Sequence, residues 1–578
     1  MAQQNNDGSN PEKSKFSRLQ ATESDNELLE LKVNVPDDER IGFSWRKLWA
    51  FTGPGFLMSI AFLDPGNIQA DLQSGAKYSY QLFWVLFWST FLGLLVQRLS
   101  ARVGTVTGQH MAEICYTEYR KVPRVFLWLM MEVAIIGSDM QEVIGTAISI
   151  YLLSSGKVPI WGGVLITVLD TLTFLFLDKY GLRKLELFFA LLITIMAVTF
   201  GYEFFYDLPD IVQVLEGTAV PKCTDCDTDK ISMAIGIVGS CIMPHNLYLH
   251  SGLVKTRNVD RTRDRTISEA NFYFLIESAL ALFVSFIINL FVMSVFAHGL
   301  YGKTNVDVLH ECIARQDPYG PSLFHNNTNI VDVDIQSGGV FLGCHFGLAA
   351  LYIWAVGILA AGQSSTMTGC YAGQFAMEGF LNLTWVRWKR VLFTRSIAII
   401  PSLWVACYSD LSSFNGMNDF LNALMSIQLP FAVLPAIAFT SNTRIVGNFA
   451  NGICQKIISV LIFVIIFAGN ALLVVQFMQG VEKTWVLVLL YIYFIVYLIV
   501  CIYLLLHCIA ALTDPDSCLN RNSFMRKWIL GKSITDYYNQ SNYVNNTSSQ
   551  PILEDTDEDI QGGLCDNLAE EDDVTFVY

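Results

Sequence analysis

The sequence predicts an all-α polytopic membrane protein, a twelve-helix bundle whose first ten spans form two five-helix halves of opposite orientation, followed by two further helices. Three observations carry that prediction. Of the 578 residues, 53% are hydrophobic and only 15% charged, with a mean hydropathy of +0.41; a soluble chain carries about 25% charged residues. Twelve apolar runs approach the roughly 20 residues that cross a bilayer. One polar, proline-containing motif occurs twice, in spans one and six.

In chain order, residues 1–46 are polar, with an acidic patch (DNELLEL) and no cleavable leader, and predict a disordered cytosolic arm. A transporter-sized domain, 47–512, holds spans near 47–74, 81–103, 124–153, 160–178, 185–206, 231–255, 270–299, 338–367, 391–408, 419–440, 456–478 and 484–511. Residues 513–578 (EDTDEDI, AEEDD) predict a second, acidic cytosolic arm. Much of the formal charge of −15 sits in these arms. It therefore argues for no nucleic acid partner; the arms suit trafficking proteins, and the domain suits lipid.

Basic residues orient the spans. Arg98, Arg102, Arg120, Lys121 and Arg124 lie between spans two and three, and Lys179, Arg183 and Lys184 between four and five. Lys255, Arg257, Arg261, Arg263 and Arg265 follow span six, and Arg387, Lys389 and Arg390 precede span nine. Both termini are expected in the cytosol. The opposite face carries two longer loops: 207–230 with Cys223 and Cys226, and 298–338 with Cys312 and the sequon at Asn326; Cys344 follows just inside span eight. On an oxidising face these four cysteines suit disulfides, with three full pairings open. Asn326 is the expected glycosylation site, whereas sequons at Asn382, Asn545 and Asn546 fall on the cytosolic side.

The repeated motif is AFLDPGNIQADL (61–72) in span one and SCIMPHNLYLH (240–250) in span six, with Pro65 in register with Pro244 and Asn67 with Asn246. An odd number of spans separates the copies, so the second enters from the other face, as in an inverted repeat. A helix-interior proline removes one donor and clashes with an upstream carbonyl. Freed carbonyls are tolerated at membrane depth only in protein or beside a cavity. Two breaks at matching depth predict one shared midplane site; two simple proline kinks are the alternative, but a kink needs no acid. Asp64 is such an acid, and intramembrane acids are functional candidates by default. Its register partner is Met243. Asn67 adds an amide oxygen, and carbonyls near Ala61 and Ser240 add more. Oxygens alone suit calcium or magnesium, whereas a thioether shifts preference toward iron(II), manganese(II), cobalt or cadmium.

DPGN, MPHNLYLHS and GQSSTMTGCYAGQF (362–375) together resemble the Nramp family, the natural resistance-associated macrophage proteins, over about 45–477. The resemblance implies a LeuT-like fold and proton-coupled uptake of iron(II) and manganese(II) toward the cytosol by alternating access, with no cofactor. It assigns metal ligation to Asp64, Asn67 and Met243, with Gln428 of SIQLPFAV as a fourth donor in some conformations. Backbone carbonyls of Ala61 and Ser240 join as state-dependent donors. Where many relatives have alanine, Ser240 leaves open whether its hydroxyl enters the shell.

Span three carries IIGSDMQEVIG, where Asp139 and Glu142 share a helical face, and span nine carries Arg395. The resemblance assigns this trio, with Asp64, to the proton route. A static ion pair, or an Arg395 snorkelling to the cytosolic end, is the structural alternative. His245 and His250 are candidate proton-linked gates, ranking below Met243 as ligands. GQSSTMTG reads as a small-residue packing and gating stripe.

An enzyme is disfavoured: neither HExxH nor GxSxG occurs, and YGKT (301–304) lacks the first glycine of a phosphate loop. A sodium-coupled amine or amino-acid carrier of the same architecture, a divalent-ion channel and a metal-sensing transceptor share parts of the pattern. A plasma-membrane or endosomal–lysosomal location fits the polarity of the loops.

Overall fold

A computed structural model describes residues 33–36, 43–60, 62–177, 182–206, 208–315, 319–382, 387–408, 411–479, 483–513, 517, 520, 522 and 524–530. The first apolar run is not one helix. It is three short ones, α1 (Trp45–Phe51), α2 (Pro54–Ile60) and α3 (Pro65–Tyr78), because Pro54 and Pro65 each supply no backbone donor and restart the chain at a first helical position. Long helices α4 (Phe83–Thr107), α6 (Lys121–Leu153), α7 (Ile160–Leu177) and α8 (Leu182–Tyr206) complete the first half, with a short α5 (Met111–Glu118) between α4 and α6.

After a surface helix α9 (Ile211–Ala219), the second half repeats the plan. Its first span is again broken, into α10 (Thr228–Cys241) and α11 (Pro244–Leu253), and α12 (Asp264–Leu300) follows. The segment that follows holds α13 (Asn305–Ala314). Next come α14 (Ile335–Phe346), α15 (Leu348–Leu381), α16 (Arg387–Tyr408) and a tenth span in two pieces, α17 (Leu411–Gln428) and α18 (Pro430–Ser441). Two outer helices, α19 (Ile453–Gln479) and α20 (Thr484–Leu512), end the bundle. Eight stretches are long and apolar enough to cross a membrane, with shorter apolar helices at 160–169, 190–206 and 392–404, among the described residues.

Span eight departs from the sequence expectation of 338–367. The apolar run includes α14, but Gly347 adopts φ +106° and breaks it; only glycine takes that conformation without strain. The membrane helix is therefore α15, and Cys344 lies in α14, outside it. Two disulfides form among the four loop cysteines, Cys223–Cys226 and Cys312–Cys344. Asn326 is exposed in the segment between α13 and α14.

Parts of the predicted arms are placed. Val33–Asn34 pairs in parallel with Arg257–Asn258. Met525, Ile529 and Leu530 bury against Ala510 at the end of α20. The rest of 1–46 and of 513–578 lies largely outside the described residues.

The core runs through the inner ten spans, with α15 packed along α6 and α12 along α3. Trp354 on α15 is fully buried, donates Nε1–H to the Ile335 carbonyl (2.9 Å) and takes edge contacts from Phe200 and Phe296 at 5.3 Å. Each such aromatic pair adds about 0.5–1.5 kcal/mol beyond area burial. The outer faces of α19 and α20 are exposed and apolar, as lipid contact requires.

Candidate metal site

The site begins with two prolines that lack a donor. In a continuous helix Pro65 would bond the Ala61 carbonyl, and Pro244 the Ser240 carbonyl, four residues upstream. Instead the helix opens over Phe62–Asp64 and over Ile242–Met243 and restarts with each proline at the first position. The kink alternative is thereby excluded: these are breaks.

At the first break Asp64 caps α3, its Oδ1 accepting the Asn67 N–H at 3.0 Å. Its Oδ2 is buried without a hydrogen-bond partner. A buried, unpaired carboxylate oxygen is costly unless a proton or a cation meets it. Asn67 Nδ2 donates to the Phe62 carbonyl (2.7 Å), which also receives Asn289 Nδ2 at 2.9 Å. Ala61, the predicted carbonyl donor here, lies outside the described residues.

At the second break Met243 is the cap residue of α11; its side chain makes no cap bond and is buried. The Ser240 hydroxyl donates to Asn67 Oδ1 (2.9 Å) and to the Ile237 carbonyl (3.1 Å), and Cys241 Sγ reaches Asn67 Oδ1 at 3.6 Å. Asn67 Oδ1 thus joins the two breaks, taking both the hydroxyl and the thiol. The bond from Ser240 also answers what its hydroxyl does in this conformation: it orients Asn67. Asn246, in register with Asn67, has neither amide atom bonded, and Asp71, two turns past Asp64 on α3, has neither oxygen bonded; both are fully buried.

Gln428 ends α17 just before Pro430, buried with both amide atoms unpartnered. Its helix reaches the second break at Gly239, whose α-carbon lies against Asn422 and Ser426. His245 and His250 sit on α11, buried; His245 Nδ1 and both ring nitrogens of His250 lack partners. Among the described residues no three His, Cys, Asp or Glu side chains gather as a metal cluster. The candidate donors are therefore mixed: one carboxylate, amide and backbone oxygens, and one thioether.

A second cluster adjoins the first. Arg395 Nη2 lies 3.0 Å from Glu142 Oε2 and 3.5 Å from Asp139 Oδ1, and also donates to the Thr366 carbonyl at 3.2 Å. All three side chains are buried, so Arg395 does not snorkel. The Ser365 hydroxyl donates to Glu142 Oε1 at 2.6 Å and Ser138 at 3.3 Å. The GQSSTMTG stripe therefore packs and also bonds the acid. A methyl group at Gly145 would meet the Pro65 ring at 2.5 Å; with Glu142 one turn earlier on α6, the acid pair flanks the first break.

Reasoning from sequence missed the polar bracket above Asn67. Gln141 Nε2 donates to Asn422 Oδ1 (2.8 Å), and Asn422 Nδ2 to the Gly66 carbonyl (3.3 Å). Asn422 also lines a cleft of about 370 Å³ with Ala70, Lys77, Asp229, Gly236 and Asp419, on the end that carries the Cys223–Cys226 loop. Asn422 thus lines the cleft and, through its bond to the Gly66 carbonyl, also touches the helix that starts at the first break. The amides at intervals along span ten (Asn418, Asn422, Gln428) were the signal that could have found this wall.

The same constellation has relatives. Residues 55–476 match the family described as natural resistance-associated macrophage protein-like. The chain is 57% identical over 506 residues to Protein Malvolio of Drosophila melanogaster, covering 86% of this chain and 85% of that one. It is 58% identical over 481 residues to natural resistance-associated macrophage protein 2 of Homo sapiens, covering 83% and 84%. Among solved structures, a manganese transporter of Eremococcus coleocola superposes with a TM-score of 0.70 at 28% identity, over 84% of this chain and 98% of that one. Mhp1, a nucleobase-cation-symport-1 family transporter, shares the fold alone, with a TM-score of 0.50 at 13% identity over 79% and 92%. With the inverted five-helix repeat, its two broken helices and a match running from the first break to the eleventh span, the chain belongs to the natural resistance-associated macrophage protein (Nramp) family.

Proposed function

We propose that this protein is a multi-pass symporter that moves divalent transition-metal ions, iron(II) and manganese(II) foremost and cobalt or cadmium as well, toward the cytosol together with protons. One observation carries the reading: Asn67 Oδ1, at the first helix break, accepts hydrogen bonds from Ser240 and Cys241 at the second, beside a buried carboxylate oxygen with no partner. The membership in the family, and the likeness to a protein whose structure is titled a manganese transporter, support it.

In this mechanism Asp64 supplies the negative charge, Asn67, Gln428 and the Ser240 carbonyl supply neutral oxygens, and Met243 supplies the soft donor. The Ala61 carbonyl joins when the first break rearranges. Glu142, Asp139 and Arg395 hold and pass the proton, with His245 and His250 along the exit helix. The ion enters by the cleft lined by Asn422 and leaves on the face bearing the basic loops, the cytosolic one, where both termini lie. The polarity is compatible with residence in the plasma membrane or in endosomal–lysosomal membranes, and a glycan on Asn326 marks the external face; unchanged mobility of the expressed protein after glycosidase treatment would argue against the glycan.

The deciding experiment records metal and proton fluxes together in proteoliposomes across a panel of divalent ions. Coupled, saturable movement of both is expected. Metal flux that saturates with no accompanying acidification would leave a uniporter, and non-saturating flux a channel.

Selectivity gives a narrower test. Met243→Ala is expected to keep manganese uptake within a few-fold of wild type, while cadmium uptake falls and calcium discrimination weakens, because the thioether assigned to the shell is gone. Measuring competition by cadmium and calcium against manganese uptake checks it; an unchanged cadmium-to-calcium ratio would remove the thioether from the shell.

A further inference from the structure

A second cleft, of about 350 Å³, lies far from the metal site, among α4, α12 and the start of α19. Two stripes face each other across it. Arg98 and Arg102 stand one turn apart on α4; Ser268, Asn271, Leu275 and Ser278 recur at helical spacing on α12. Arg102 Nη1 donates to neutral oxygens only, Asn451 Oδ1 at 2.7 Å and Gln455 Oε1 at 3.2 Å. Arg98 has no ion-pair partner among the described residues. The lining contains no acid. Nearby acids on α12 are engaged elsewhere: Glu269 with Lys47 at 2.6 Å, Glu277 with the Gly53 N–H, and Asp264 with Asn448 at 3.0 Å.

The remaining polar groups are donors in waiting. The Ser278 hydroxyl is buried with no partner, a situation that costs free energy unless a ligand meets it. Beside these groups the rim turns apolar: Phe272 is half-exposed on the outer surface of α12, and Leu275 lies between the hydroxyls. Two guanidiniums, hydroxyl and amide donors, and an aromatic edge facing lipid form one amphipathic notch at the membrane face that carries the basic loops.

We propose that this cleft binds the phosphate-bearing headgroup of an anionic phospholipid, with Arg98 and Arg102 on the phosphate, Ser278 and Asn271 as further donors, and an acyl chain along Phe272. Guanidinium matches phosphate geometry with paired donors, and basic pockets between membrane helices on the cytoplasmic side hold such headgroups. A freely diffusing phosphate would satisfy the arginines and leave the apolar rim without a role, so the lipid is the occupant the notch fits. The inference uses the cytosolic placement of this face only to choose the leaflet, and is independent of metal transport.

The test uses the purified full-length protein in detergent, where neither sidedness nor transport matters. Short-chain phosphatidylinositol 4,5-bisphosphate, short-chain phosphatidylcholine and inorganic phosphate are each titrated while bound mass is read by native mass spectrometry and the melting temperature is followed. Saturable binding of the anionic lipid is expected, with a rise in melting temperature; phosphatidylcholine and inorganic phosphate bind weakly. Arg98→Gln lowers the lipid affinity about fivefold, the equivalent of about 1 kcal/mol for one basic side chain at the surface, and leaves manganese affinity unchanged. Since Arg102 also ties α4 to α19, Arg98→Gln carries the test, and Ser278→Ala checks the buried donor without altering charge. Equal lipid affinity in wild type and in both variants overturns the site. Equal binding of inorganic phosphate and of the lipid overturns the lipid assignment.

Discussion

Asp64→Asn is expected to abolish metal binding and transport in a protein that still folds. The amide is nearly the same size, and asparagine is as good a helix cap as aspartate, so its oxygen keeps the bond from the Asn67 N–H that starts α3. What disappears is the anion. The other candidate donors, Asn67, Ser240, Gln428 and Met243, are all neutral, and a divalent cation entering a buried site must replace its hydration with something that offsets its charge. Affinity should fall by at least about 100-fold, or about 3 kcal/mol. Calorimetric titration with manganese, paired with a melting curve and proteoliposome uptake, decides it: wild-type affinity in a folded variant would refute the role given to this carboxylate.

The largest stability effect is expected at the neighbouring cluster, where two substitutions part company. Arg395→Ala leaves Glu142 and Asp139 buried with no cation beside them. Breaking a buried pair in that way costs about 3–5 kcal/mol, a large part of the roughly 5–15 kcal/mol that holds a typical domain folded, and expression should fall sharply. Glu142→Gln behaves differently. Its oxygen can face Arg395 while its amide group donates to the Ser365 hydroxyl, which rotates to accept; Asp139 still neutralises the arginine. The variant should fold, bind metal nearly as tightly as wild type, and lose the acid stimulation of uptake, because one titratable carboxyl has left the route. Melting temperature, metal affinity and uptake between about pH 5 and 8 are compared for the three proteins. A stable Glu142→Gln with an unchanged pH profile would remove Glu142 from proton transfer, and an Arg395→Ala protein as stable as wild type would show that the acids need no cation.

Two further residues bear on these outcomes. Asp71 and Asn246 are buried near the breaks with unbonded polar atoms, although neither was singled out as a donor. Asp71 was visible in the sequence as a second acid two turns after Asp64, yet an acid near the end of a span reads equally well as an interfacial one. Only the packed bundle puts it out of reach of water.

The sequence alone determined the parts of this protein that depend on backbone chemistry. Prolines without N–H groups at 65 and 244 had to cost their helices a backbone bond, the odd number of spans between them had to invert the second copy, and apolar runs had to cross lipid because nothing else would solvate them; Pro401 and Pro435 stay inside α16 and α18, so a full break needs more than the proline. At Pro430 the same missing donor only divides α17 from α18: Leu429 keeps helical φ and ψ, and no acid flanks the proline. Tertiary structure decided the rest. That Ser240 bonds Asn67 across 173 positions, that Ser365 serves Glu142 across 223, and that Asn422 lines a cleft while bonding Gly66 across 356 are properties of how helices meet. Span eight shows the limit most plainly. Hydropathy averages over a window and counts Gly347 as neutral, whereas a single positive φ at that glycine ends one helix and starts another. Side-chain type along a chain reports local preference; which polar groups share a buried site depends on interhelical packing that residues far apart fix together, and no local window contains that information.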